Sequence, residues 1–209
     1  MIKVILCDDH AVVRRGIRDT ISEAVDIQVV GEAGSYPELR ELMRKTTCDV
    51  LVLDLNMPGR GGLEVLGALK DEGSVVKVLV VSMYPEDQYA IRCLRAGARG
   101  YVNKAGDPAE LVNAIRVVMQ GRKFVTPEVA QMLVDTLSAP ETEELHASLS
   151  ERELQTLQKI ASGKKLSDIA EELMLSPKTV SVYRARVLEK LHLSNNAELT
   201  VYAIRNGLV

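Results

Sequence analysis

No apolar run in this chain of 209 residues approaches the roughly 20 residues that a membrane-spanning helix requires. A helical membrane protein is therefore not expected. Met1-Ile2-Lys3-Val4-Ile5-Leu6-Cys7 meets Asp8-Asp9 too soon to form a signal peptide, so the expected location is the cytoplasm. Cysteine is scarce. Cys7, Cys48 and Cys93 are odd in number, lie in apolar surroundings and lack CxxC spacing, which argues for buried reduced thiols and against a disulfide, zinc or redox site. There is no large excess of one charge, the formal net charge being −3. With 46% apolar and 26% charged residues, disordered and fibrous classes are excluded, and the length suits one large domain or two small ones.

The small net charge hides an uneven distribution. Residues 1–125 hold 17 basic and 17 acidic side chains, residues 126–147 hold 0 and 5, and residues 148–209 hold 9 and 7. The middle segment contains Ser138-Ala139-Pro140-Glu141-Thr142-Glu143-Glu144, an acidic, proline-bearing run that reads as a solvated linker. Two domains follow, with the linker expected over residues 123–147.

The most informative stretch is Val50-Leu51-Val52-Leu53-Asp54-Leu55-Asn56-Met57-Pro58-Gly59. Four apolar residues without period-2 alternation predict a strand buried on both faces, the kind found in parallel sheets. The strand runs straight into a carboxylate. Asp54 could simply open the turn before Pro58. However, Lys3–Cys7, Ile27–Ala33, Lys77–Ser82 and Gly100–Val102 also read as strands. Segments with helical spacing separate them: Ala11–Val25 (with Val12, Val13, Ile17, Ile21 and Val25 on one side), Tyr36–Lys45, Leu63–Lys70, Glu86–Ala96 and Pro108–Gln120. Repeated strand–helix units predict an α/β fold, a doubly wound five-stranded parallel sheet, whose ligand crevice lies beyond the carboxyl ends of the strands.

Asp8-Asp9, Asp54, Ser82 and Lys104 all fall at those ends. Individually each has a plain explanation: Asp8-Asp9 as a helix cap, His10 as part of the same helix entrance, Ser82 and Lys104 as solvated residues after strands. Together they are specific. Three close carboxylates repel one another unless a cation neutralises them, and an oxygen-rich acidic site suits Mg²⁺. A metal together with Lys104 would leave room for one dianionic phosphoryl group on Asp54, with Ser82 supplying a hydroxyl donor.

These residues resemble the receiver domain of bacterial two-component response regulators over residues 1–122. The resemblance is carried by Asp8-Asp9-His10 with Val13-Arg14-Arg15-Gly16, Leu53-Asp54-Leu55-Asn56-Met57-Pro58, Ser82, Gly97-Ala98-Arg99-Gly100-Tyr101-Val102-Asn103-Lys104, and Ile115-Arg116 with Gly121. It implies a flavodoxin-like sheet and a phosphoryl group accepted by Asp54 from a sensor histidine kinase or small phosphodonor. It implies direct Mg²⁺ ligation by Asp9, Asp54 and the Asn56 carbonyl, with Asp8 acting through water. Ser82 and Lys104 would contact the phosphoryl oxygens, and Tyr101 would change rotamer with Ser82 as the switch. The turn Pro58-Gly59-Arg60-Gly61-Gly62 departs from the family in lacking the Asp common before its last glycine, which bears on loop structure only. Ser82 stands where Thr is commoner, a conservative exchange for a hydroxyl donor.

Residues 148–209 contain four apolar-periodic segments, Glu151–Ala161, Leu166–Leu173, Pro177–Leu191 and Asn196–Asn206, predicting a smaller all-α domain. Ser150 with Glu153 fits a capping box, and Ser176 with Pro177 fits an N-cap and first helical position. The three residues between Leu173 and Pro177 predict the tight turn of a helix-turn-helix. On a helical wheel Val180, Val187, Leu188 and Leu191 face inward, and Lys178, Ser181, Val182, Ala185, Arg186 and Glu189 face away. The basic residues of Ser176–Leu191 favour phosphate contact, although a basic face is often merely solvated.

Leu149-Ser150-Glu151-Arg152-Glu153, Ile169-Ala170-Glu171-Glu172-Leu173, Leu175-Ser176-Pro177-Lys178-Thr179-Val180 and Lys190-Leu191 resemble the LuxR-type DNA-binding domain. With the receiver, this makes the chain similar to NarL/FixJ-type transcription regulators. Ser176–Val180, Tyr183-Arg184, Arg186, Glu198-Leu199 and Ala203-Ile204-Arg205 look most like their GacA/UvrY branch. The resemblance implies a recognition helix at Pro177–Leu191, with Ser181, Val182 and Ala185 toward bases and Lys178, Thr179, Arg184 and Arg186 toward phosphates of double-stranded promoter DNA. The expected function is transcription regulation by a homodimer formed on phosphorylation. An alternative keeps DNA binding and makes the receiver a phosphorylation-independent interaction module. A phosphohydrolase with an aspartyl nucleophile is disfavoured, since such enzymes need an acid two residues after the nucleophile and Asn56 stands there.

Overall fold

The computed structural model describes residues 1–138 and 145–209, which form two compact units divided between those ranges. In the first, β1 (Ile2–Cys7), α1 (Ala11–Ser22), β2 (Ile27–Ala33), α2 (Tyr36–Lys45), β3 (Val50–Leu53), α3 (Gly62–Asp71), β4 (Lys77–Ser82), α4 (Glu86–Ala96), β5 (Gly100–Asn103) and α5 (Pro108–Met119) alternate along the chain. The strands form one parallel sheet in the order β2-β1-β3-β4-β5. This is the five-stranded, doubly wound sheet expected from the sequence.

The pleat divides the apolar side chains between two faces. Val4, Leu6, Val50, Val52, Leu79, Val81 and Val102 pack with Ile21 of α1 and Leu111, Ala114, Ile115 and Val118 of α5. Ile5, Leu51, Leu53 and Val80 alternate with them on the other face and are equally buried. Each such side chain contributes on the order of 1.5–3 kcal/mol by leaving water, which accounts for the absence of alternation in β3. Because β1 is bonded to both β2 and β3, the chain reverses its direction of sheet-building beside β1. The crevice at that reversal is where ligands of open α/β sheets bind.

Two boundaries differ from the sequence reading by more than a single residue. α1 stops at Ser22, and a turn in which the Ile27 N–H donates to Ala24 (3.2 Å) feeds β2. Val25 is consequently 92% exposed, and Val12 at the opposite end is 87% exposed. The second concerns the expected linker, whose first part is folded. The Phe124 N–H donates to the Arg99 carbonyl at 2.8 Å, and α6 (Pro127–Ser138) packs on α4 with Val129 buried and the Thr126 hydroxyl 2.8 Å from Glu86. A run of residues without basic side chains reads as solvated chain, yet Val129 is buried where α6 packs on α4. Most of the Ser138–Glu144 run lies outside the described residues.

The second unit opens on a 3-10 turn (Leu145–Ser148), followed by α7 (Glu151–Ala161), α8 (Leu166–Glu172), α9 (Pro177–Lys190) and α10 (Asn196–Arg205). Leu154, Leu157, Ile160, Ile169, Val180, Val187, Leu191, Leu199 and Ala203 form its buried interior. The Ser150–Glu153 capping box is present, with both reciprocal bonds made. Glu153 does more than cap. Its Oε2 also accepts from the Lys190 ammonium at 2.7 Å, and that ammonium reaches the Ser148 carbonyl at 3.1 Å. The end of α9 is thereby fastened to the start of α7.

Burial pushes the Glu153 carboxyl up, but hydrogen bonds from Lys190 and Ser150 outweigh it and hold the group below its ordinary value of 4.5. A depressed folded-state value stabilises the domain above that ordinary value, and the contribution is lost as pH falls through the depressed one. Unfolding by denaturant as a function of pH should therefore steepen below about pH 4.5, and Glu153→Gln should flatten that dependence.

The α8–α9 turn closes by Leu175 N–H to Ala170 (2.8 Å) and Met174 N–H to Glu171 (3.2 Å), bonds that need a left-handed residue between the helices. Met174 fills that position at φ 52°. A left-handed conformation costs a residue with a Cβ about 1–2 kcal/mol, partly offset by glycine's greater unfolded-state freedom. Met174→Gly should raise the stability of this domain by about 1 kcal/mol in denaturant titrations.

Candidate functional site

The carboxyl ends of β1, β3, β4 and β5 bring Asp8, Asp9, Asp54, Ser82 and Lys104 together as the sequence suggested. Asp8 and Asp54 are each 3% exposed. The Lys104 ammonium bridges them, 2.8 Å from Asp8 Oδ2 and 2.9 Å from Asp54 Oδ2. Those two oxygens otherwise have no hydrogen-bond partner. One oxygen from each of Asp8, Asp9 and Asp54, together with an imidazole nitrogen of His10, lies within 4.8 Å of the others. His10 was read as part of a helix entrance, and it does occupy the N-cap of α1. Its Nδ1 also stands 2.8 Å from Asp9 Oδ1.

The electrostatics are unbalanced. Burial pushes the Asp54 carboxyl above its usual range; the Lys104 ammonium pulls it down, and the charge of Asp8 adds to the upward push. The Asn56 backbone N–H also donates to Asp54 and favours the charged form. A single ammonium facing three carboxylates leaves uncompensated negative charge and buried acceptors. That is the chemistry of a divalent-cation site made of oxygen ligands. The adjacent Cys7 thiol is pushed up to about 12, chiefly by burial, so it is inert at neutral pH.

Ser82 is 1% exposed, and its Oγ accepts from the Tyr84 N–H at 3.3 Å. Tyr101, 2% exposed, turns inward and donates its hydroxyl to the Tyr84 carbonyl at 2.7 Å. The peptide around Tyr84 thus joins the serine to the tyrosine. Sequence reasoning had no means of finding Tyr84, whose part is played by backbone atoms.

In the helical unit, Ser181, Val182, Ala185, Arg186 and Lys178 are exposed along α9, while Val180 and Val187 are fully buried. Thr179 is half-buried, and its hydroxyl lies 2.8 Å from the Ser176 hydroxyl in the cap. Arg184 is also half-buried, its Nε donating to Asn196 Oδ1. The free charges are not random. Lys159 and Lys164 are both paired with Glu172, and Lys190 with Glu153. Among the described residues, Lys178, Arg184 and Arg186 meet no carboxylate.

An acidic crevice on a parallel sheet, followed by a helix-turn-helix with unpaired cations, defines a two-domain regulator of transcription and not an enzyme. Residues 4–116 match the family described as "Response regulator receiver domain", and residues 147–203 match "Bacterial regulatory proteins, luxR family". The chain is 41% identical over 209 residues to the response regulator UvrY of Escherichia coli K12, covering all of this chain and 96% of UvrY. It is 40% identical over 210 residues to the response regulator GacA of Pseudomonas aeruginosa, covering all of this chain and 98% of GacA. RcsB of Salmonella enterica serovar Typhimurium, solved bound to the promoter rprA in the presence of phosphomimetic BeF3-, is 27% identical with a TM-score of 0.62, over 96% of this chain and 97% of RcsB. The chain belongs to the two-component response regulators with a LuxR-type DNA-binding domain. No helix among the described residues is long and apolar enough to cross a membrane.

The backbone after Asp54 is braced from α3. A Cβ on Gly62 would lie 2.5 Å from the Asp54 carbonyl oxygen and 2.7 Å from Leu55 Cα, whereas one on Gly16 in α1 would meet nothing within 4 Å. Gly62→Ala should destabilise the receiver by about 1–3 kcal/mol. Gly16→Ala should stabilise it by up to about 1 kcal/mol through helix propensity. Denaturant midpoints of the two variants check both signs.

Proposed function

We propose that Asp54 accepts a phosphoryl group from a sensor histidine kinase or a small phosphodonor, and that this switches dimerisation and sequence-specific binding of promoter DNA by α9. The observation that carries the reading is the desolvated Asp8–Lys104–Asp54 bridge at the sheet's crevice. Asp9, Asp54 and the carbonyl of Asn56 would hold Mg²⁺ directly and Asp8 through water, and the buried carboxylate oxygens of the three aspartates, which have no hydrogen-bond donor beyond the ammonium of Lys104 and the imidazole of His10, suit it. When bound, the metal supplies positive charge that lets two anions meet. The protein is expected to work in the cytoplasm.

A carboxylate oxygen of Asp54 attacks phosphorus, and the bond to the leaving imidazole or carboxylate breaks. Lys104, already within reach of Asp54, turns its ammonium to the new phosphoryl oxygens, and Ser82 donates its hydroxyl to them. Reorienting Ser82 removes the acceptor from the Tyr84 N–H. Since the same residue's carbonyl holds Tyr101, the two side chains respond together. Glu86 begins α4 just beyond, and its bond to Thr126 carries the displacement toward α6. The receiver is taken to span residues 1–122, with α6 as an extension of it, and the DNA-binding domain residues 148–209. RcsB has been solved as two dimers bound to two parallel DNAs, which supports a dimer as the DNA-binding form here.

Incubation with acetyl phosphate and Mg²⁺ should add one phosphoryl group by intact-mass measurement. Asp54→Asn, or chelation of the metal, should abolish it. Beryllofluoride with Mg²⁺ should raise both the dimer fraction and the affinity for promoter DNA. No uptake by wild type from any donor, with DNA binding retained, would instead make the receiver an interaction module.

A further inference from the structure

We propose that Asn196, the first residue of α10, is a positioning residue for DNA binding. It holds the Arg184 guanidinium as a fork toward one phosphate strand, so that α9 is gripped on both flanks by Arg184 and Arg186. The proposal rests on the reading of α9 as the helix that enters the groove.

At 100° per residue, Arg184 and Arg186 project about 200° apart around α9. The arc between them through the exposed side is centred on Ala185 and contains Lys178, Ser181, Val182 and, toward the C-terminal end of the helix, Glu189. A helix lying in a major groove has bases before its central stripe and a phosphate strand along each flank. The two arginines therefore face different strands. Arg186 is exposed and reaches its flank directly. Arg184 is rooted nearer the buried face of Val180, Val187 and Leu191, and is half-buried.

Asn196 supplies the missing constraint. Its Oδ1 accepts the Arg184 Nε–H at 2.5 Å, which uses one of the five guanidinium N–H donors and leaves the two terminal amino groups as a planar fork. The support is itself fixed. The Asn195 side chain caps α10 by accepting from the Glu198 N–H at 3.0 Å and bonds the Glu198 carboxylate at 2.8 Å, while the Thr200 hydroxyl donates to the Asn196 carbonyl at 3.0 Å. Among the described residues no carboxylate competes for Arg184, in contrast to Lys159, Lys164 and Lys190. A side chain held in place by a neutral amide keeps its full charge for an anion. A carboxylate in the same position would have cancelled it.

The test measures affinity of the full-length protein for a mixed-sequence duplex of about 30 base pairs as a function of salt, where each phosphate contact contributes about 0.9 to the log–log slope. Asn196→Ala should weaken binding about three- to tenfold near 0.1 M salt and reduce the slope by up to about 0.9, as Arg184→Ala does. The double variant should be no weaker than Arg184→Ala alone. Because Asn196 is exposed, unchanged thermal unfolding of Asn196→Ala should separate positioning from folding. Arg186→Ala provides the reference by lowering affinity and slope in either background. Wild-type affinity and slope in Asn196→Ala, or additive losses in the double variant, while Arg186→Ala still weakens binding, would overturn the positioning role and leave the α9 reading intact. Wild-type binding by Arg184→Ala and Arg186→Ala alike would overturn both.

Discussion

One ammonium shared between two buried carboxylates is the constraint on which the receiver depends. Lys104 stands within 3 Å of both Asp8 and Asp54, with Asp9 alongside, so its charge cannot neutralise the cluster. At a partly buried site two unit charges 4 Å apart interact by about 4 kcal/mol, comparable with the whole margin by which a domain is stable. A site with that imbalance responds strongly to whatever enters it. Adding a divalent cation relieves the repulsion, and adding a phosphoryl group restores it in a new place. Each step redistributes the contacts of Lys104 and Ser82. The fold tolerates the imbalance because the strands beneath are packed on both faces and give the carboxylates no freedom to separate.

The same rigidity locates the response. Asp54 has little room to recoil, since Gly62 of α3 donates its N–H to the Leu55 carbonyl at 2.9 Å and leaves no space for even a Cβ beside the Asp54 carbonyl, and the strand behind it is fully buried. The β4–α4 connection is less constrained: Met83 is 66% exposed, and Tyr84 connects Ser82 to Tyr101 through its peptide groups. Under the proposed phosphorylation of Asp54, strain introduced there would be released into this connection and into α4. Since α6 packs on α4, the segment leaving the receiver begins from a surface that the switch can move.

Much of this was legible in the sequence, for an identifiable reason. A parallel sheet writes itself as unbroken apolar runs ending in polar residues, so Leu53-Asp54 and Leu6-Cys7-Asp8 announced both the strand and the crevice. Capping chemistry was similarly local, and the box at Ser150 and the N-cap at Ser176 formed as the residue types require. What escaped depends on tertiary partners. The apolar positions of α6 acquire meaning only beside α4, and the end of α1 at Ser22 is set by the turn into β2, not by the spacing that led on to Val25. Tyr84 contributes backbone atoms, which no residue type betrays. Arg184 is directed to phosphates by the resemblance to the LuxR-type domain, but its hydrogen bond to Asn196, in the next helix, is visible only once the turn between them is folded.

The helical domain explains how an acidic protein can bind a polyanion. Net charge is an average, and binding responds to the charges that remain unpaired on one face. Here two of the acidic residues are spent locally: Glu172 takes two lysines and Glu153 takes the one at the end of α9. Those pairs sit where α7, α8 and the end of α9 meet, and they contribute to holding the bundle together. Lys178, Arg184 and Arg186 on α9 meet no carboxylate among the described residues, nor do Lys165 and Arg205, and the three on α9 lie around Ser181, Val182 and Ala185, which are small enough for close approach to a groove. Apart from Lys178 and Glu189, that face has no long polar side chain to read a base by hydrogen bonds, so on the proposed reading discrimination falls largely to methyl contacts and to the shape and deformability of the duplex. The flanking arginines then matter more than their lack of base contact suggests. On the proposed reading they would fix how deeply the small stripe is seated, and only a seated stripe can sense groove width.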